Sequence, residues 1–243
     1  MRGNRFVRIG SGALLLAAAW GSFVLTGCGI NFYSGRPSDV RRIRELSAEL
    51  DRLKAQKEAE AQQLRDAQTL LQQRLKKEIS DKQVKLEMAE RGLVLTFVDE
   101  VLFDSGKAKL RSEAEETLAK VASVIEEKVA DRDIGIEGHT DNQPIKVSGW
   151  KSNWELSSAR AISVLHLLEE KGVNPRQMVA AGYGEYQPVT PNDTLEGRQQ
   201  NRRVEIVILP KKLTRSEQDL LRKARASHAP ELAGKAEELE QYK

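Results

Sequence analysis

The chain has 243 residues and nearly balanced charge, with 39 Lys and Arg against 36 Asp and Glu. The formal net charge of +3 and the even mixing of both signs exclude the concentrated basic face typical of nucleic-acid-binding proteins, so no nucleic-acid partner is expected. The single cysteine, Cys28, excludes an intramolecular disulfide. Apolar residues are concentrated before residue 31 and after residue 91, which predicts one compact domain flanked by helical segments.

The N-terminal segment has the parts of an export signal. An apolar stretch over residues 9–25 follows a basic start formed by Arg2, Arg5 and Arg8. The chain is therefore expected to leave the cytoplasm. An uncleaved transmembrane helix is the alternative, but this stretch is at the short end of the roughly 17–25 residues needed to span a bilayer.

The end of this stretch, Leu-Thr-Gly-Cys at residues 25–28, resembles the lipobox of bacterial lipoprotein precursors. The resemblance predicts a signal peptide over residues 1–27 and lipid attachment at Cys28. Gly29 follows the cysteine where an inner-membrane lipoprotein often carries Asp. We therefore expect an outer-membrane lipoprotein that faces the periplasm and is held by its lipid anchor.

A linker over residues 28–38 and a coiled-coil helix over residues 39–91 are predicted next. Apolar residues recur at heptad spacing over the first turns, at Ile43, Leu46, Leu50 and Leu53. After a fault, the pattern resumes and then shifts register, which predicts one helix with a stutter that continues to Met88. Two alternatives stay open: a solvated single helix with ion pairs, and a stalk that forms a homodimer.

A globular domain is predicted over residues 92–210 and a charged helical tail, outside the core, over residues 211–243. Within the domain, strands are predicted at 93–98, 134–138, 178–181 and 204–209, helices at 112–128 and 153–171, and a long polar loop at 182–198. Ser112 and Glu115 are expected to form a capping box. The β-α-β-α-β-β order predicts an α+β fold in which a mixed sheet carries its helices on one face.

Several short sequence blocks of this domain resemble the signature blocks of the OmpA C-terminal domain family. They are Gly-His-Thr-Asp at 138–141, Asn-Trp-Glu-Leu-Ser-Ser-Ala-Arg-Ala at 153–161, Ala-Gly-Tyr-Gly-Glu at 181–185 and Asn-Arg-Arg-Val at 201–204. The family's domain also occurs in the peptidoglycan-associated lipoprotein and in the flagellar stator protein MotB. The resemblance implies non-catalytic binding of peptidoglycan through the diaminopimelate of its stem peptide.

The residue chemistry fits such a ligand independently. A diaminopimelate side chain ends in an ammonium and a carboxylate, so its site needs an anion and a cation at a fixed separation. Asp141, just past a strand end, can accept from the ammonium, and Arg160, in the second turn of a helix, can bind the carboxylate through two parallel hydrogen bonds. The alternative is that these two side chains simply pair with each other.

The family match adds Asn153 and Arg202 to the binding site, and Thr140 and Gly106 to its wall through their backbones. Asn153 has a second explanation, because it is also placed to cap the helix that follows. Arg202 and Arg203 are adjacent on a predicted strand and must point to opposite faces. Arg203 is therefore expected to make a structural ion pair or to cover apolar surface.

The loop over residues 142–152 is longer than in the simplest OmpA-type domains and looks more like the MotB version. Its Trp150, together with Trp154, is consistent with an aromatic platform for sugar or peptide. Packing of the loop onto the helix is the more ordinary role for such a pair, and we expect packing.

The leading functional interpretation is a tether between the outer membrane and the cell wall. A MotB-like stator component is the alternative, although residues 9–25 lack the membrane aspartate that a proton-driven stator requires. A wall hydrolase would use His139, Asp141 and Glu137 as metal ligands or as acid and base. A lone His with two carboxylates is a thin metal site, so no enzyme activity, metal or cofactor is expected.

Overall fold

A computed structural model of the chain describes residues 37–145 and 149–223. The predicted signal peptide, Cys28, most of the predicted linker and residues 224–243 lie outside the described residues. Across the described ranges, none of the helices has the length and apolar character required to cross a membrane.

The predicted stalk is helical over its first part, in helix α1 (Pro37–Arg74) and the short helix α2 (Lys76–Ser80). The two are nearly continuous, because the Leu75 N–H donates to the Leu71 carbonyl at 2.8 Å. Apolar residues from the later heptads are buried in the core of the domain: Leu64, Ala67, Leu71 and Leu75. This half of the helix therefore packs on its own domain, whereas Ile43 is 67% exposed.

The expectation of helix up to Met88 is wrong beyond Ser80. Strand β1 (Val84–Ala89) pairs antiparallel with strand β2 (Gly92–Val98). Lys82, at φ 57°, ends the helix in a left-handed conformation, and from Val84 onward apolar and polar residues alternate with the period of a strand. The folded domain thus begins before residue 92, where the sequence pattern placed its start.

The remaining elements follow the predicted order, with two short helices that the pattern missed. They are α3 (Asp99–Leu102), α4 (Ser112–Lys128), β3 (Ile134–His139), α5 (Asn153–Glu170), a 3₁₀ turn (Pro175–Gln177), β4 (Met178–Gly184), α6 (Leu195–Asn201) and β5 (Arg203–Ile208). The expected capping box at Ser112 is wrong, because the N-cap of α4 is Arg111 and makes no side-chain cap. The missed helix α6 begins in the expected polar loop over residues 182–198 and continues to Asn201.

The five strands form one mixed sheet in the order β1-β2-β5-β3-β4, in which only β3 and β4 pair in parallel. Alternate residues of the central strands enter one hydrophobic core with α4, α5 and the end of α1: Leu93, Leu95, Phe97, Ile134, Ile136, Val204, Ile206 and Ile208. The opposite face carries the polar residues Glu137, Arg203 and Glu205. The α+β fold with a mixed sheet is confirmed.

Two glycines let α5 lie directly against β3 and β4. A Cβ on Gly138 would lie 2.1 Å from the Ser157 carbonyl oxygen, and one on Gly182 would lie 2.2 Å from Ser158 Oγ. The absence of these side chains brings the first turns of α5 onto the sheet. This close approach positions Asn153 and Arg160 beside the strand ends.

After β5 the chain turns back along α1. Residues 215–223 are helical, as predicted for the tail, but Leu220 is only 6% exposed. The amide of Gln56 in α1 donates to Glu217 at 3.4 Å. The first part of the tail therefore packs against α1.

Candidate functional site

Sheet topology gathers polar residues at one edge of the sheet. Because β5 is antiparallel to both β2 and β3, the ends of those two strands meet the start of β5, where Arg203 is the register partner of both Val98 and His139. The residues just outside these strand ends, Asp99, Asp141 and Arg202, are thus neighbours although they are far apart in sequence.

These residues line a cleft of about 840 Å³ together with the N-terminal turns of α5. All of the predicted binding residues line it: Gly106, Thr140, Asp141, Asn153, Arg160 and Arg202. Asp99 and Glu100, which sequence reasoning missed, line it too. The cleft therefore has several carboxylates and two guanidinium groups on its walls.

Arg160 is paired with Asp99 and not with Asp141, so the alternative of an Asp141–Arg160 pair is wrong. Arg160 Nη1 lies 2.8 Å from Asp99 Oδ1, and both side chains are almost completely buried. The contact is an ion pair without an aligned hydrogen bond, since Asp99 Oδ1 accepts none among the described residues. Arg160 Nε donates to the Lys107 carbonyl at 3.0 Å, and the guanidinium lies 5.2 Å from the Phe103 ring centroid.

Burial governs the electrostatics of this pair. Desolvation raises the pKa of Asp99 to about 6, and the nearby Arg160 offsets only part of that effect. Burial likewise lowers the pKa of the Arg160 guanidinium, against the stabilising charge of Asp99. Arg160 remains a cation at neutral pH, because an arginine pKa lies far above that range.

Arg202 bridges two acids on the more open side of the cleft. Its Nη1 donates to Asp141 Oδ2 at 2.7 Å and its Nη2 donates to Glu100. Burial disfavours its charged form, but the hydrogen bonds to Asp141 and Glu100 outweigh burial and raise the pKa of Arg202. Arg203 makes the expected structural ion pair, with Nε 2.6 Å from Glu205 Oε1 on the opposite face of the sheet.

Asn153 joins the cleft to the strand β4 side. Its amide donates to the Gln143 carbonyl at 3.1 Å and to Glu185 Oε2 at 2.8 Å. The proposed capping role is wrong, because Ser152 is the N-cap of α5 and its side chain accepts from the Glu155 N–H. The side chain of Asn153 is therefore used for the wall of the cleft.

The two residues predicted to contribute backbone are already engaged. The Thr140 N–H donates to the Gly184 carbonyl at 2.9 Å, and the Gly106 carbonyl accepts from Trp150 Nε1 at 3.0 Å. Gly106 has φ 69°, a left-handed conformation that favours glycine at this turn. Thr140 Oγ1 is buried and has no hydrogen-bond partner within the described ranges.

The two tryptophans make different contacts, and only one of them packs the loop. Trp150 packs its loop through the bond to Gly106, as expected, and is half-buried. Trp154 instead stacks on Tyr186, with ring centroids 5.0 Å apart and an interplanar angle of 22°. Trp154 is 46% exposed and Tyr186 is 63% exposed, so this stack is an aromatic surface beside Asn153.

The three residues of the hydrolase interpretation do not meet at one site, because Asp141 lies apart from the other two. Glu137 and His139 lie with Glu205, with one ligand atom of each within 4.8 Å of the others, whereas Asp141 lies in the cleft with Arg202. Arg91 binds both carboxylates of this cluster, and Arg203 adds a second cation at Glu205. Burial, with Arg203 nearby, lowers the pKa of His139 to about 4. The cluster is an ion-pair network with a neutral histidine.

The position of Asp99 and Glu100 in the sequence gave only a weak indication that they line the cleft. Asp99 and Glu100 directly follow the strand that ends at Val98, just as Asp141 follows β3. Recognising them required the knowledge that both strands end at the same edge, which depends on β5 lying between them. The cleft can chemically hold a zwitterionic group, with an ammonium near Asp141 or Glu100 and a carboxylate near Arg160 or Arg202.

Comparisons with known proteins agree with this fold. A model described as the OmpA family matches residues 102–202. Motility protein B of Bacillus subtilis is 42% identical over 156 residues, which are 64% of this chain and 59% of that protein. The outer-membrane lipoprotein YfiB of Pseudomonas aeruginosa is 33% identical over 122 residues, covering 50% of this chain and 70% of that protein.

A solved structure with a similar fold is described as the cell wall anchor of the T6SS from Pseudomonas aeruginosa. It aligns with a TM-score of 0.54 and 33% identity, covering 58% of this chain and 97% of that chain. This chain spans less than two thirds of the length of Motility protein B. The residues that the family model matches, 102–202, include Gly106, Thr140, Asp141, Asn153, Arg160 and Arg202 of the cleft.

Proposed function

The chain belongs to the OmpA family, and on that premise we propose that its cleft binds the diaminopimelate side chain of peptidoglycan without catalysing a reaction. The observation that carries the proposal is the placement of Arg160 and Arg202 beside Asp99, Glu100 and Asp141 in one cleft. A ligand that ends in an ammonium and a carboxylate on one carbon matches this pairing of opposite charges.

The ligand would exchange partners with the existing ion pairs. Its carboxylate takes the place of Asp141 and Glu100 as the acceptor for Arg202, and it also approaches Arg160. Asp141 and Glu100 then accept hydrogen bonds from its ammonium. Each charge-assisted hydrogen bond made this way contributes about 1.5–3 kcal/mol where water is excluded. Thr140, Gly106 and Asn153 form the wall that limits the ligand to this orientation.

Isothermal titration of the chain with a diaminopimelate-containing stem peptide tests this proposal, alongside a lysine-containing peptide that lacks the second carboxylate. We expect the lysine peptide, Asp141→Asn and Arg202→Gln each to weaken binding by about 10-fold or more. Exposed residues supply matched controls, Asp193→Asn and Arg176→Gln, which should leave binding unchanged. Equal affinity for both peptides would contradict the assignment of the arginines to the second carboxylate.

For the membrane end, we propose lipid attachment at Cys28 and an outer-membrane tether facing the periplasm. Support comes from the lipobox-like residues 25–28 and from the similarity to an outer-membrane lipoprotein. Radiolabelled palmitate should label the wild-type chain and not Cys28→Ser, and the labelled chain should fractionate with outer membranes. An unlabelled chain that fractionates with inner membranes would instead support an uncleaved membrane helix.

A MotB-like stator component is the second candidate, favoured by the 42% identity to Motility protein B. Against it, residues 9–25 contain no carboxylate for proton transfer. Deletion of the gene should abolish swimming with flagella intact if the chain is a stator component. A tether instead predicts normal motility together with outer-membrane blebbing.

We also propose that the chain forms a homodimer through the first heptads of α1. Ile43 is exposed, and Leu46 and Leu50 are half-buried, so these positions are available to a second helix. Sedimentation equilibrium of residues 42–243 should then give a dimer that Ile43→Lys and Leu46→Lys together dissociate. A monomer at all concentrations would leave α1 as a single helix.

A further inference from the structure

A shallow groove of about 370 Å³ lies on the exposed side of α5, beside the cleft. Trp150 and Trp154 line this aromatic groove, and the rest of its lining comes from four residues of α5: Glu155, Ser158, Ala159 and Ile162. Trp154 is 46% exposed and Ile162 is 44% exposed. Large apolar side chains that lie together on a surface mark interaction sites, whereas scattered ones do not. The aromatic groove is therefore a candidate for a second contact.

Both indoles of the groove are held in place by the protein itself. Trp150 Nε1 donates to the Gly106 carbonyl at 3.0 Å. Trp154 stacks on Tyr186, and the groove is lined by Trp154 but not by Tyr186. One side of the Trp154 ring is therefore supported by Tyr186, and another side borders the groove. Because these rings are already fixed, a ligand would lose little free energy in ordering them.

The aromatic groove is continuous with the cleft along the surface. A pocket of about 600 Å³ lies between them. It shares Trp150 and Ile162 with the groove, and it shares Gly106 and Lys107 with the cleft. A molecule bound in the cleft can thus extend along this surface as far as the groove.

The same two chain segments form both the wall of the cleft and the support of the groove. Asn153 lines the cleft and donates to Glu185 Oε2 at 2.8 Å. The next residue of each segment, Trp154 and Tyr186, forms the aromatic stack. Consecutive Cα atoms are about 3.8 Å apart, so the groove begins one residue away from the proposed ligand.

The proposed ligand of the cleft brings a sugar to this distance. In peptidoglycan the stem peptide is attached to N-acetylmuramic acid, and two residues separate that sugar from diaminopimelate. Two extended residues span about 7 Å. When diaminopimelate is in the cleft, the glycan strand therefore lies near its edge.

The chemistry of the groove suits a sugar ring. The faces of a hexose present C–H groups, which pack favourably on the electron-rich face of an indole. Ile162 offers an apolar contact for an N-acetyl methyl group, and Glu155 and Ser158 offer polar groups for hydroxyls. The muramic acid carboxyl is consumed in the bond to the stem peptide, so the ligand needs no cation here. An open groove also fits a polymer that passes through it, whereas a small free ligand needs an enclosed pocket.

We propose that the aromatic groove is a glycan subsite, in which a sugar of the peptidoglycan strand packs on Trp154 and Trp150 while the stem peptide occupies the cleft. This proposal rests on the proposed function, because the peptide contact brings the strand to the groove. Trp154 contacts the sugar, and Tyr186 positions Trp154. The two linked contacts together bind more tightly than the peptide contact alone.

Residues 42–243 form a compact unit that contains the whole hydrophobic core, and Trp150 and Trp154 are the only tryptophans in this fragment. Calorimetry should compare a tripeptide stem that ends in diaminopimelate with the same tripeptide attached to its N-acetylglucosamine–N-acetylmuramic acid disaccharide. We expect the disaccharide form to bind about 5-fold or more tightly. It should also shift the Trp154 indole N–H resonance in NMR spectra, whereas the tripeptide alone should not.

Variants of the stack test which residues make the contact. Trp154→Ala should reduce the affinity for the disaccharide form to that for the tripeptide, and it should leave the affinity for the tripeptide unchanged. Trp154→Phe, which keeps a ring, should retain part of the difference, and Tyr186→Ala should act in the same direction as Trp154→Ala but less strongly. Val179, a 59% exposed residue of β4 outside the groove and the cleft, gives the control Val179→Ala, which should change neither affinity.

A glycan without a peptide separates this proposal from the proposed function. Tetra-N-acetylchitotetraose should shift the Trp154 indole resonance both in the wild type and in Asp141→Asn, whose peptide contact is weakened. If the tripeptide does not bind but the oligosaccharide causes this shift, the cleft assignment fails and the glycan subsite stands.

Several results would overturn the proposal. Equal affinity of the wild type for the tripeptide and its disaccharide form would show that the sugars make no contact. Equal weakening of both ligands by Trp154→Ala would show that this residue acts only through the wall of the cleft. An oligosaccharide that leaves the Trp154 resonance unshifted would remove the sugar from the groove, and a dimer that Trp154→Ala dissociates would make a second copy of the chain the occupant.

Discussion

Arg160 Nη1 lies 2.8 Å from Asp99 Oδ1 in an ion pair whose partners are 2% and 3% exposed. Removing one member of such a pair leaves an uncompensated buried charge. We expect Arg160→Gln to lower the free energy of unfolding by about 3–5 kcal/mol at neutral pH, measured by urea denaturation, because it leaves the Asp99 carboxylate buried without a cation. Asp104→Asn, at an exposed acid paired with Lys107, should change it by less than about 0.5 kcal/mol.

This relationship also affects how the binding site can be tested. A loss of peptidoglycan binding in Arg160→Ala would be ambiguous, because the variant leaves Asp99 buried and unpaired. Asp141 and Arg202 are better targets, since their ion pair is more open to water, with the Arg202 side chain 28% exposed. A fall of less than about 1 kcal/mol in Arg160→Gln would show that the pair is better hydrated than its burial implies.

The pKa shifts of His139 and Asp99 should make opposing contributions to the pH dependence of stability. Between about pH 4 and 6.5 the unfolded chain holds a proton on His139 that the folded chain does not, so this residue makes the fold less stable as pH falls. Between about pH 3.8 and 6 the folded chain holds a proton on Asp99 that the unfolded chain does not, so ionisation of Asp99 makes the fold less stable as pH rises.

His139→Phe separates the two, because it removes the titrating group and keeps an aromatic ring stacked on Tyr183. Carboxylates with lowered pKa values, such as Glu205, stabilise both proteins as pH rises, so the comparison is between the two profiles. As pH rises from 4 to 6, the free energy of unfolding of His139→Phe should fall relative to that of the wild type. The difference between the two profiles should be on the order of a few kcal/mol. Urea denaturation at several pH values measures it, and parallel profiles for both proteins would contradict the assignment to His139.

The hydrophobic core of the domain includes residues of α1, which determines how short a fragment can still fold. A fragment of residues 92–210 lacks Leu64, Leu71 and β1, so we expect it to unfold or to expose apolar surface that binds a hydrophobic dye. Residues 42–223 retain the core and should show a cooperative thermal transition. A cooperative transition in the shorter fragment would show that α1 and β1 are dispensable.

The same boundary can be tested by single substitutions on α1. Leu71 is fully buried, so Leu71→Ala should cost about 2–5 kcal/mol of unfolding free energy. Ile43 is 67% exposed, and Ile43→Ala should cost less than about 0.5 kcal/mol in the monomer. Similar costs at both positions would mean that Ile43 is buried in a dimer.

The fold class could be predicted from the sequence, but the start of the domain could not. The period of 3.6 in α4 and α5 and the β-branched runs of the central strands predicted the α+β fold, because each element buries one continuous face. Strand β1 was missed because its Lys, Glu and Met residues favour helix and it follows a long helical pattern. Pairing with β2 outweighs that local preference.

Part of the binding site could likewise be predicted from the sequence and part could not. Its motif residues were predicted because they occur in short blocks with a recognisable family order. Their ion-pair partners were not, because Asp99 meets Arg160 only after β5 has returned between β2 and β3. The use of Ser152 as the cap of α5 was equally invisible, since Asn153 has the same local preference.

The close contact between β3 and α5 gives a last prediction, about the geometry of the cleft. A Cβ on Gly138 would lie 2.1 Å from the Ser157 carbonyl oxygen, which is fixed helix backbone, so Gly138→Ala must push α5 away from the sheet. We expect a loss of about 2–4 kcal/mol in unfolding free energy and weaker binding of the stem peptide, because Asn153 and Arg160 move with α5.

Gly135 provides the control on the same strand. A Cβ there would meet its nearest atom, Glu137 Oε1, at 3.7 Å, which is ordinary contact, so Gly135→Ala should keep both stability and binding. Thermal denaturation and peptide titration of both variants test the pair. Equal behaviour of the two alanines would mean that the fit of α5 against Gly138 does not position the cleft, and that its geometry depends on the ion pairs alone.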